Sequence, residues 1–245
     1  MLPINPELFV FDKDGTLIDV HHYWISMTKL RVSVLKNFHH FLDTKAEIHL
    51  LQSLGVNTKT NTIFPNGPTG VKPREYNQLV AENCLREFGL IRNFKVKEAF
   101  LEADSLSQNM MSELIKPLPG AIQLIDSLAL RNIPVAVISN DIHSRVFLAL
   151  TTLDLLPKVA LIIGGDDVKN SKPCSDMLLK AINYFQCDPS GVVNIGDHPN
   201  DIRMGLASNV KHNIAVLTGL NTAMEFENLN CKIVKNLSDV IIKPQ

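Results

Sequence analysis

The stretch Phe9-Val10-Phe11-Asp12-Lys13-Asp14-Gly15-Thr16-Leu17 places two carboxylates, two positions apart, directly after a short apolar run. The uninterrupted apolar residues at 8–11 are typical of a strand buried on both faces, as in a parallel sheet. Ligands of open α/β sheets bind at the carboxyl ends of strands, where Asp12 and Asp14 fall. Two neighbouring acids repel each other, so the pair needs a cation such as Mg²⁺ or a shared proton. Taken alone, Asp-x-Asp-Gly is also common turn chemistry.

Four further apolar runs end in polar residues or glycine and predict further buried strands. These runs lie at 133–138, 160–163, 192–195 and 214–217. Segments with helical spacing of apolar residues separate or flank them, at 120–131, 144–153, 175–185 and 199–207. Because strands and helices alternate along the chain, we expect βαβ units in an α/β fold with a doubly wound, Rossmann-like parallel sheet.

The interval 18–116 carries little strand signal. Helical patterns at 24–40, 45–54, 74–88 and 97–115 dominate it, and a segment rich in Asn, Thr, Pro and Gly at 57–72 predicts a loop. An interval of this length is too long for a simple crossover between two strands. We therefore expect an all-helical cap domain at 18–116, inserted into an α/β catalytic core formed by 1–17 and 117–245.

Composition excludes several classes of protein. The 245 residues include 24 basic and 25 acidic side chains, a formal net charge of −1, which argues against a nucleic-acid partner. There is no apolar stretch long enough for a membrane span and no secretion-like start, so we expect a cytoplasmic protein without a membrane partner. The 4 cysteines are widely scattered, which favours reduced thiols over disulfides or a zinc site.

Polar residues also follow three of the other predicted strands. Ser139 and Asn140 end the second, Lys172 follows the third, and Asp197 and Asp201 follow the fourth. Each has a structural explanation, as a helix cap, a solvated lysine or an acid in a first helical turn. Their occurrence in order, each after a buried strand, favours one shared site for an anion and a cation.

The segments FDKDGTL, ISN, the lysine of KP and GDHPND resemble the four motifs of the haloacid dehalogenase-like hydrolase superfamily. The runs GGDDVKNSKPCSD, VVNIGDHPNDIRMGLASN and IAVLTG are similar to its phosphoglycolate phosphatase branch. The resemblance implies a Mg²⁺-dependent phosphoric monoester hydrolase that acts on a small phosphorylated metabolite. It also implies that the inserted helical segment is the cap of that branch.

The same resemblance implies a role for each motif residue. Asp12 would attack phosphorus and form an aspartyl-phosphate, while Asp14 would act as general acid and then as general base. The implied phosphoryl-binding residues are Ser139, Asn140 and Lys172, of which Lys172 would also contact Asp12. The implied metal ligands are Asp12, Asp14 through its backbone carbonyl, Asp197, and Asp201 directly or through water.

Several alternatives remain at this stage. The second acid, Asp14, argues against carbon–halogen cleavage, which needs no proton for its leaving group. A sugar-phosphate phosphatase, a phosphomutase relative and a non-catalytic phospho-ligand sensor all stay open, as does the oligomeric state. Lys13 stands where an apolar residue is more usual; of two alternatives, added positive charge near the site and a side chain in solvent, we expect solvent. Lys72 and Arg74, in the loop 64–74, are candidates for contacting a second anionic group of the substrate.

Overall fold

A computed structural model of the protein describes residues 5–39, 42–64, 66–70, 72–90 and 92–242. The chain divides into two compact units. One comprises the residues up to Asp19 together with those from Ile115 onward, and the other comprises Val20–Leu114. Within the described ranges, no helix is both long enough and apolar enough to cross a bilayer.

Strands and helices alternate in the first unit, whereas helices dominate the second. Along the chain the strands are β1 (Leu8–Phe11), β2 (Val56–Asn57), β3 (Thr62–Ile63), β4 (Val135–Ile138), β5 (Leu161–Ile163), β6 (Val192–Gly196), β7 (His212–Val216) and β8 (Lys232–Val234). The helices are α1 (Val20–Phe38), α2 (Thr44–Ser53), α3 (Arg74–Glu87), α4 (Val96–Ser107), α5 (Met111–Leu114), α6 (Ala121–Leu130), α7 (His143–Thr152), α8 (Asp176–Phe185) and α9 (Pro199–Ala207).

The first unit is built on a six-stranded parallel sheet with the order β5-β4-β1-β6-β7-β8. Strand β1 lies in the middle, with Phe11 aligned to Val137 of β4 and to Ile195 of β6. All residues of β1, β4 and β6 are buried, as their mostly apolar runs predict, although the run of β6 includes Asn194. This sheet confirms the α/β, doubly wound fold class.

Helix α8 shows how the sheet is covered. Its buried residues Met177, Leu178, Ala181 and Ile182 recur at helical spacing and pack on Leu8, Val10 and other apolar side chains of the sheet. Burial of each large apolar side chain contributes about 1.5–3 kcal/mol, so this face holds the helix against the strands. The helix ends at Gln186, which adopts a left-handed conformation with φ 51°.

Among the described residues of the second unit, helices dominate and one short hairpin occurs, in which β2 pairs antiparallel with β3. It lies partly inside the predicted loop, so the expectation of an all-helical unit needs that correction. The side-chain oxygen of Asn57 accepts the backbone N–H groups of Lys59 and Thr60 at 3.1 and 3.2 Å, which turns the chain between the strands. The helix predicted over 97–115 is instead divided into α4 and α5 by a 3₁₀ turn at Gln108–Met110.

The two candidate cations of the loop 64–74 lie in different surroundings. Arg74, the first residue of α3, donates to a carboxylate oxygen of Asp104 on α4, so this guanidinium is already paired within its own unit. Lys72 is exposed. Positions 65 and 71 of the predicted loop lie outside the described residues.

Candidate active site

The carboxyl ends of β1, β4 and β6 form one edge of the sheet. Asp12 directly follows β1, and its backbone N–H donates to the carbonyl of Ile195 at 2.9 Å. Ser139 directly follows β4, and its backbone N–H donates to the carbonyl of Ile163 at 3.0 Å. Because β4 and β6 lie on opposite sides of β1, these ends frame the crevice in which open α/β sheets bind ligands.

A cluster of three carboxylates lies in this crevice. One oxygen from each of Asp12, Asp197 and Asp201 falls within 4.8 Å of the others. The Nζ of Lys172 stands 2.5 Å from Asp12 Oδ1 and 2.8 Å from Asp201 Oδ1, and the lysine side chain is only 4% exposed. Three carboxylates and one ammonium sum to a formal charge of −2, which a single divalent cation would neutralise.

The pKa shifts in this cluster have a common cause. Burial raises the pKa of Asp12 to about 7, although the charge of Lys172 opposes that change. Burial, followed by the charges of Asp12 and Asp201, raises the pKa of Asp197 well above its usual range. Burial lowers the pKa of Lys172, but the two aspartates beside it outweigh this and raise the pKa overall. The cluster therefore lacks positive charge, and its hard oxygen donors fit Mg²⁺.

The backbone approaches the cluster closely at two glycines. Gly15 has φ +81°, and a Cβ at Gly15 or at Gly219 would collide with the carboxylate of Asp197. The hydroxyl of Thr218 donates to the carbonyl of Gly15 at 2.5 Å and ties the two loops together. The sequence alone assigned no role to Gly219 or Thr218, because only the fold brings the loop after β7 next to Asp197.

Asp201 serves two structural purposes at once. It lies in the first turn of α9, where its Oδ2 accepts the backbone N–H of His198 at 2.9 Å. Its Oδ1 faces Lys172. Asp201 therefore caps the start of α9 with one oxygen and contacts Lys172 of the site with the other.

Asn140 positions Lys172. Its Oδ1 accepts the backbone N–H of Lys172 at 3.1 Å, and its Nδ2 donates to the carbonyl of the same residue at 3.4 Å. The side-chain amide that the resemblance sets beside a phosphoryl group is thus used to hold the lysine. Ser139 is buried, and its Oγ accepts the backbone N–H of Asp141 at 3.1 Å.

Lys13 is buried, contrary to the expectation that it points into solvent. It is 6% exposed, and its Nζ lies 3.0 Å from Asp14 Oδ2 and 2.9 Å from Asp141 Oδ2. Two carboxylates compensate the charge, which is the condition for burying an ammonium. The sequence places Asp141 after an apolar run, but only the fold shows that this run, β4, is the parallel neighbour of β1.

Asp14 stands apart from the three clustered carboxylates. Its side chain is 41% exposed and pairs with Lys13. The expected contact of its backbone carbonyl with a metal stays a prediction. The structure thus brings Asp12, Lys172, Asp197 and Asp201 together and holds the Asp14 carboxylate on a separate ion pair.

The family model of haloacid dehalogenase-like hydrolases matches residues 9–216. The chain belongs to this family. The match runs from β1 to β7 and so includes the segments that carry the clustered carboxylates and Lys172. It also includes the inserted helical unit.

Individual relatives of this hydrolase are distant. Phosphoglycolate phosphatase of Escherichia coli K12 is 30% identical over 90 residues, which are 37% of this chain and only 36% of that enzyme. The (DL)-glycerol-3-phosphatase 2 of Arabidopsis thaliana is 24% identical across 96% of this chain and 88% of its own. A haloacid dehalogenase family hydrolase of Deinococcus radiodurans, solved with bound phosphate and sodium, superposes with a TM-score of 0.69 at 17% identity, over 97% of this chain and 94% of its own.

Proposed function

We propose that this protein is a Mg²⁺-dependent phosphatase that hydrolyses a small phosphomonoester through an aspartyl-phosphate on Asp12. The observation that carries the proposal is the Asp12 carboxylate, whose side chain is 11% exposed and is held by Lys172 next to Asp197 and Asp201. Such a site has one nucleophile, one fixed cation and a remaining charge suited to a divalent metal. The phosphatase names of two distant relatives support the reaction class.

The proposed reaction has two steps. An oxygen of Asp12 attacks phosphorus, the bond from phosphorus to the leaving oxygen breaks, and Asp14 gives its proton to the departing alcohol. In the second step Asp14 takes a proton from water, and the resulting hydroxide displaces Asp12 from phosphorus. Inorganic phosphate leaves, and Asp12 and the protonated Asp14 are restored.

Lys172 reduces the repulsion between the anionic nucleophile and the anionic phosphoryl group. It is held in place by Asn140 at its backbone and by two carboxylates at its Nζ, so the positive charge is fixed before the substrate binds. Mg²⁺, when bound by Asp12, Asp197 and Asp201, would supply further positive charge beside the phosphoryl oxygens. The hydroxyl of Ser139 is the proposed donor to one of these oxygens.

The proposed substrate is the phosphate ester of a small alcohol, with 2-phosphoglycolate first and glycerol 3-phosphate second. The first substrate is supported by the similarity to phosphoglycolate phosphatase, and the second by the glycerol-3-phosphatase that aligns over almost the whole chain. The helical unit Val20–Leu114 is the proposed cap, of the kind that excludes water when it closes. The cytoplasmic location and the absence of nucleic-acid and membrane partners stay predictions.

Phosphate release tests the proposal. The protein should release inorganic phosphate from p-nitrophenyl phosphate, 2-phosphoglycolate or glycerol 3-phosphate with Mg²⁺ present, and EDTA should abolish the release. Asp12→Asn should lower kcat at least about 1000-fold, because it removes the nucleophile. The matched control is Asp154→Asn, since Asp154 is exposed and has φ 55°, a conformation that asparagine tolerates.

Three results would contradict the proposal or part of it. Binding of phosphate esters without any turnover would favour the phospho-ligand sensor. Transfer of the phosphoryl group to a second hydroxyl of the substrate, instead of to water, would favour the phosphomutase relative. Wild-type rates in Asp12→Asn would exclude Asp12 as the nucleophile.

A further inference from the structure

The buried ammonium of Lys13 links the segment after β1 to the segment after β4. Its Nζ contacts Asp14 Oδ2 at 3.0 Å and Asp141 Oδ2 at 2.9 Å. The two carboxylates follow neighbouring parallel strands, β1 and β4. Their attachment to one cation therefore fixes the Asp14 side chain relative to the end of β4.

Asp141 is a firm anchor for this chain of contacts. Its other oxygen, Oδ1, accepts the backbone N–H of Ile142 at 2.9 Å, and its own backbone N–H donates to Ser139 Oγ at 3.1 Å. Because these bonds orient the Asp141 carboxylate from its own loop, Lys13 is held at one end by a group that does not depend on Asp14. In the same way, Lys13 is held from its backbone, whose carbonyl accepts the N–H groups of Leu17 and Ile18.

Asp14 by itself has few constraints. Its side chain is 41% exposed, and its carboxylate forms an ion pair with Lys13. An exposed carboxylate without a partner samples several rotamers. A general acid, however, must stand within hydrogen-bond reach of the leaving oxygen, and a misplacement of about 1 Å can cost about 100-fold in rate.

We propose that Lys13 is the positioning residue for Asp14, with Asp141 as its anchor, and that it acts on the protonation of the leaving group. The proposal rests on the proposed phosphatase function. In this proposal Lys13 transfers no proton and forms no bond to phosphorus; it contacts the carboxylate that does the proton transfer. Its effect is carried by the orientation of one carboxylate.

A positioning role for Lys13 predicts a kinetic effect that a purely structural role does not. The alcohol leaving from glycerol 3-phosphate needs a proton, whereas p-nitrophenolate is a good leaving group and departs without one. The quantity kcat/KM reports the steps up to transfer of the phosphoryl group to Asp12, so the later attack of water does not enter it. Loss of Asp14 positioning should therefore depress kcat/KM for the alkyl ester more than for the aryl ester.

The test compares Lys13→Met, Asp14→Asn and the double variant on these two substrates. We expect Lys13→Met to lower kcat/KM for glycerol 3-phosphate about 10- to 100-fold more than for p-nitrophenyl phosphate. In the Asp14→Asn background the same substitution should add no further difference between the substrates, because the group it positions is gone. Lys158→Met is the control, since Lys158 is another carboxylate-paired lysine of this unit, bound to Asp126.

Asp141→Asn gives a second variant that keeps Lys13 and weakens its anchor, together with the exposed contact of Asp141 with Arg145, and it decides the matter if Lys13→Met does not fold. It should shift the ratio of alkyl to aryl kcat/KM in the same direction. An equal loss on both substrates, or a difference that persists without Asp14, overturns the positioning role while wild-type turnover stands. If the wild-type protein has no Mg²⁺-dependent turnover on either ester, the proposed function fails and the role of Lys13 fails with it.

Discussion

At the scale of single residues, the carboxylate of Asp197 shows the cost of a site built from like charges. Burial and the charges of Asp12 and Asp201 raise its pKa, and burial raises the pKa of Asp12 to about 7. A carboxyl with a raised pKa in the folded state binds more protons than in the unfolded chain. Without metal, the folded protein therefore loses stability as pH rises from the ordinary carboxyl range through about pH 7.

This pH dependence can be measured by urea unfolding in EDTA at pH 5 and pH 7.5. We expect the free energy of unfolding of the wild-type protein to fall by about 1–3 kcal/mol over this range from the carboxylate cluster. Asp197→Asn removes one of the repelling charges, so it should reduce the fall, whereas Asp154→Asn should leave it as in wild type. Equal falls in all three proteins would contradict the repulsion inferred here.

Residues with a chemical role were accessible from the sequence to different degrees. Asp12, Lys172, Asp197 and Asp201 could be grouped because each follows a buried strand and the ends of parallel strands meet. Lys13 was misjudged, because its burial depends on Asp141, which lies far away along the chain. The hydrogen bonds between Asn140 and the Lys172 backbone depend on the relative positions of the loops after β4 and β5. No local sequence pattern predicts those positions.

At the scale of elements, α9 packs on the sheet through a small polar network. The amide of Asn194 on β6 donates to the carbonyl of Asp201 at 2.9 Å and to the side chain of Asn213 on β7 at 3.0 Å. Gly205 of α9 lies against both amides, and a Cβ there would collide with Asn213 Oδ1. The close approach of the helix to the two strands therefore depends on a residue without a side chain.

Gly205→Ala should have two opposing effects on the free energy of unfolding, one from helix propensity and one from packing. Alanine is favoured over glycine by about 1 kcal/mol inside a helix. Overpacking of a tight buried contact costs about 1–3 kcal/mol and displaces the amides that the network uses. We expect a net loss of up to about 2 kcal/mol in the free energy of unfolding measured in urea. Arg203→Ala, at an exposed site of the same helix, should change stability by no more than about 0.5 kcal/mol, and a stabilised Gly205→Ala would show that α9 does not pack closely on the amides.

The sequence located elements well where both faces of a strand are buried. Strand β1 has the predicted bounds, and β4 and β6 differ from prediction by one or two residues, because a mostly apolar run marks such strands clearly. Strand β8 was missed. It lies at the edge of the sheet with Lys232 and Ile233 exposed, so its residues carry no continuous apolar signal.

At the scale of the whole molecule, the sheet unit is assembled from two distant stretches of chain. They join where the chain leaves and re-enters the unit, with Leu118 N–H donating to the Leu17 carbonyl and Asp19 N–H donating to the Lys116 carbonyl, both at 2.9 Å. The carboxylate cluster spans the same two stretches, since Asp12 lies in the first and Asp197 and Asp201 lie in the second. A cation bound there would therefore tie together segments that separate on unfolding.

Calorimetry with and without Mg²⁺ tests this consequence. A ligand at 100 times its Kd stabilises the folded state by about 2.7 kcal/mol, and a chain of this size gains about 2–4 °C in Tm for each kcal/mol. We expect saturating Mg²⁺ to raise the Tm of the wild-type protein by about 5–10 °C. Asp197→Asn should lose most of this rise because it removes a ligand, and Asp154→Asn should keep it. A rise that survives in Asp197→Asn would mean that the cation binds elsewhere and that the carboxylate cluster is not the metal site.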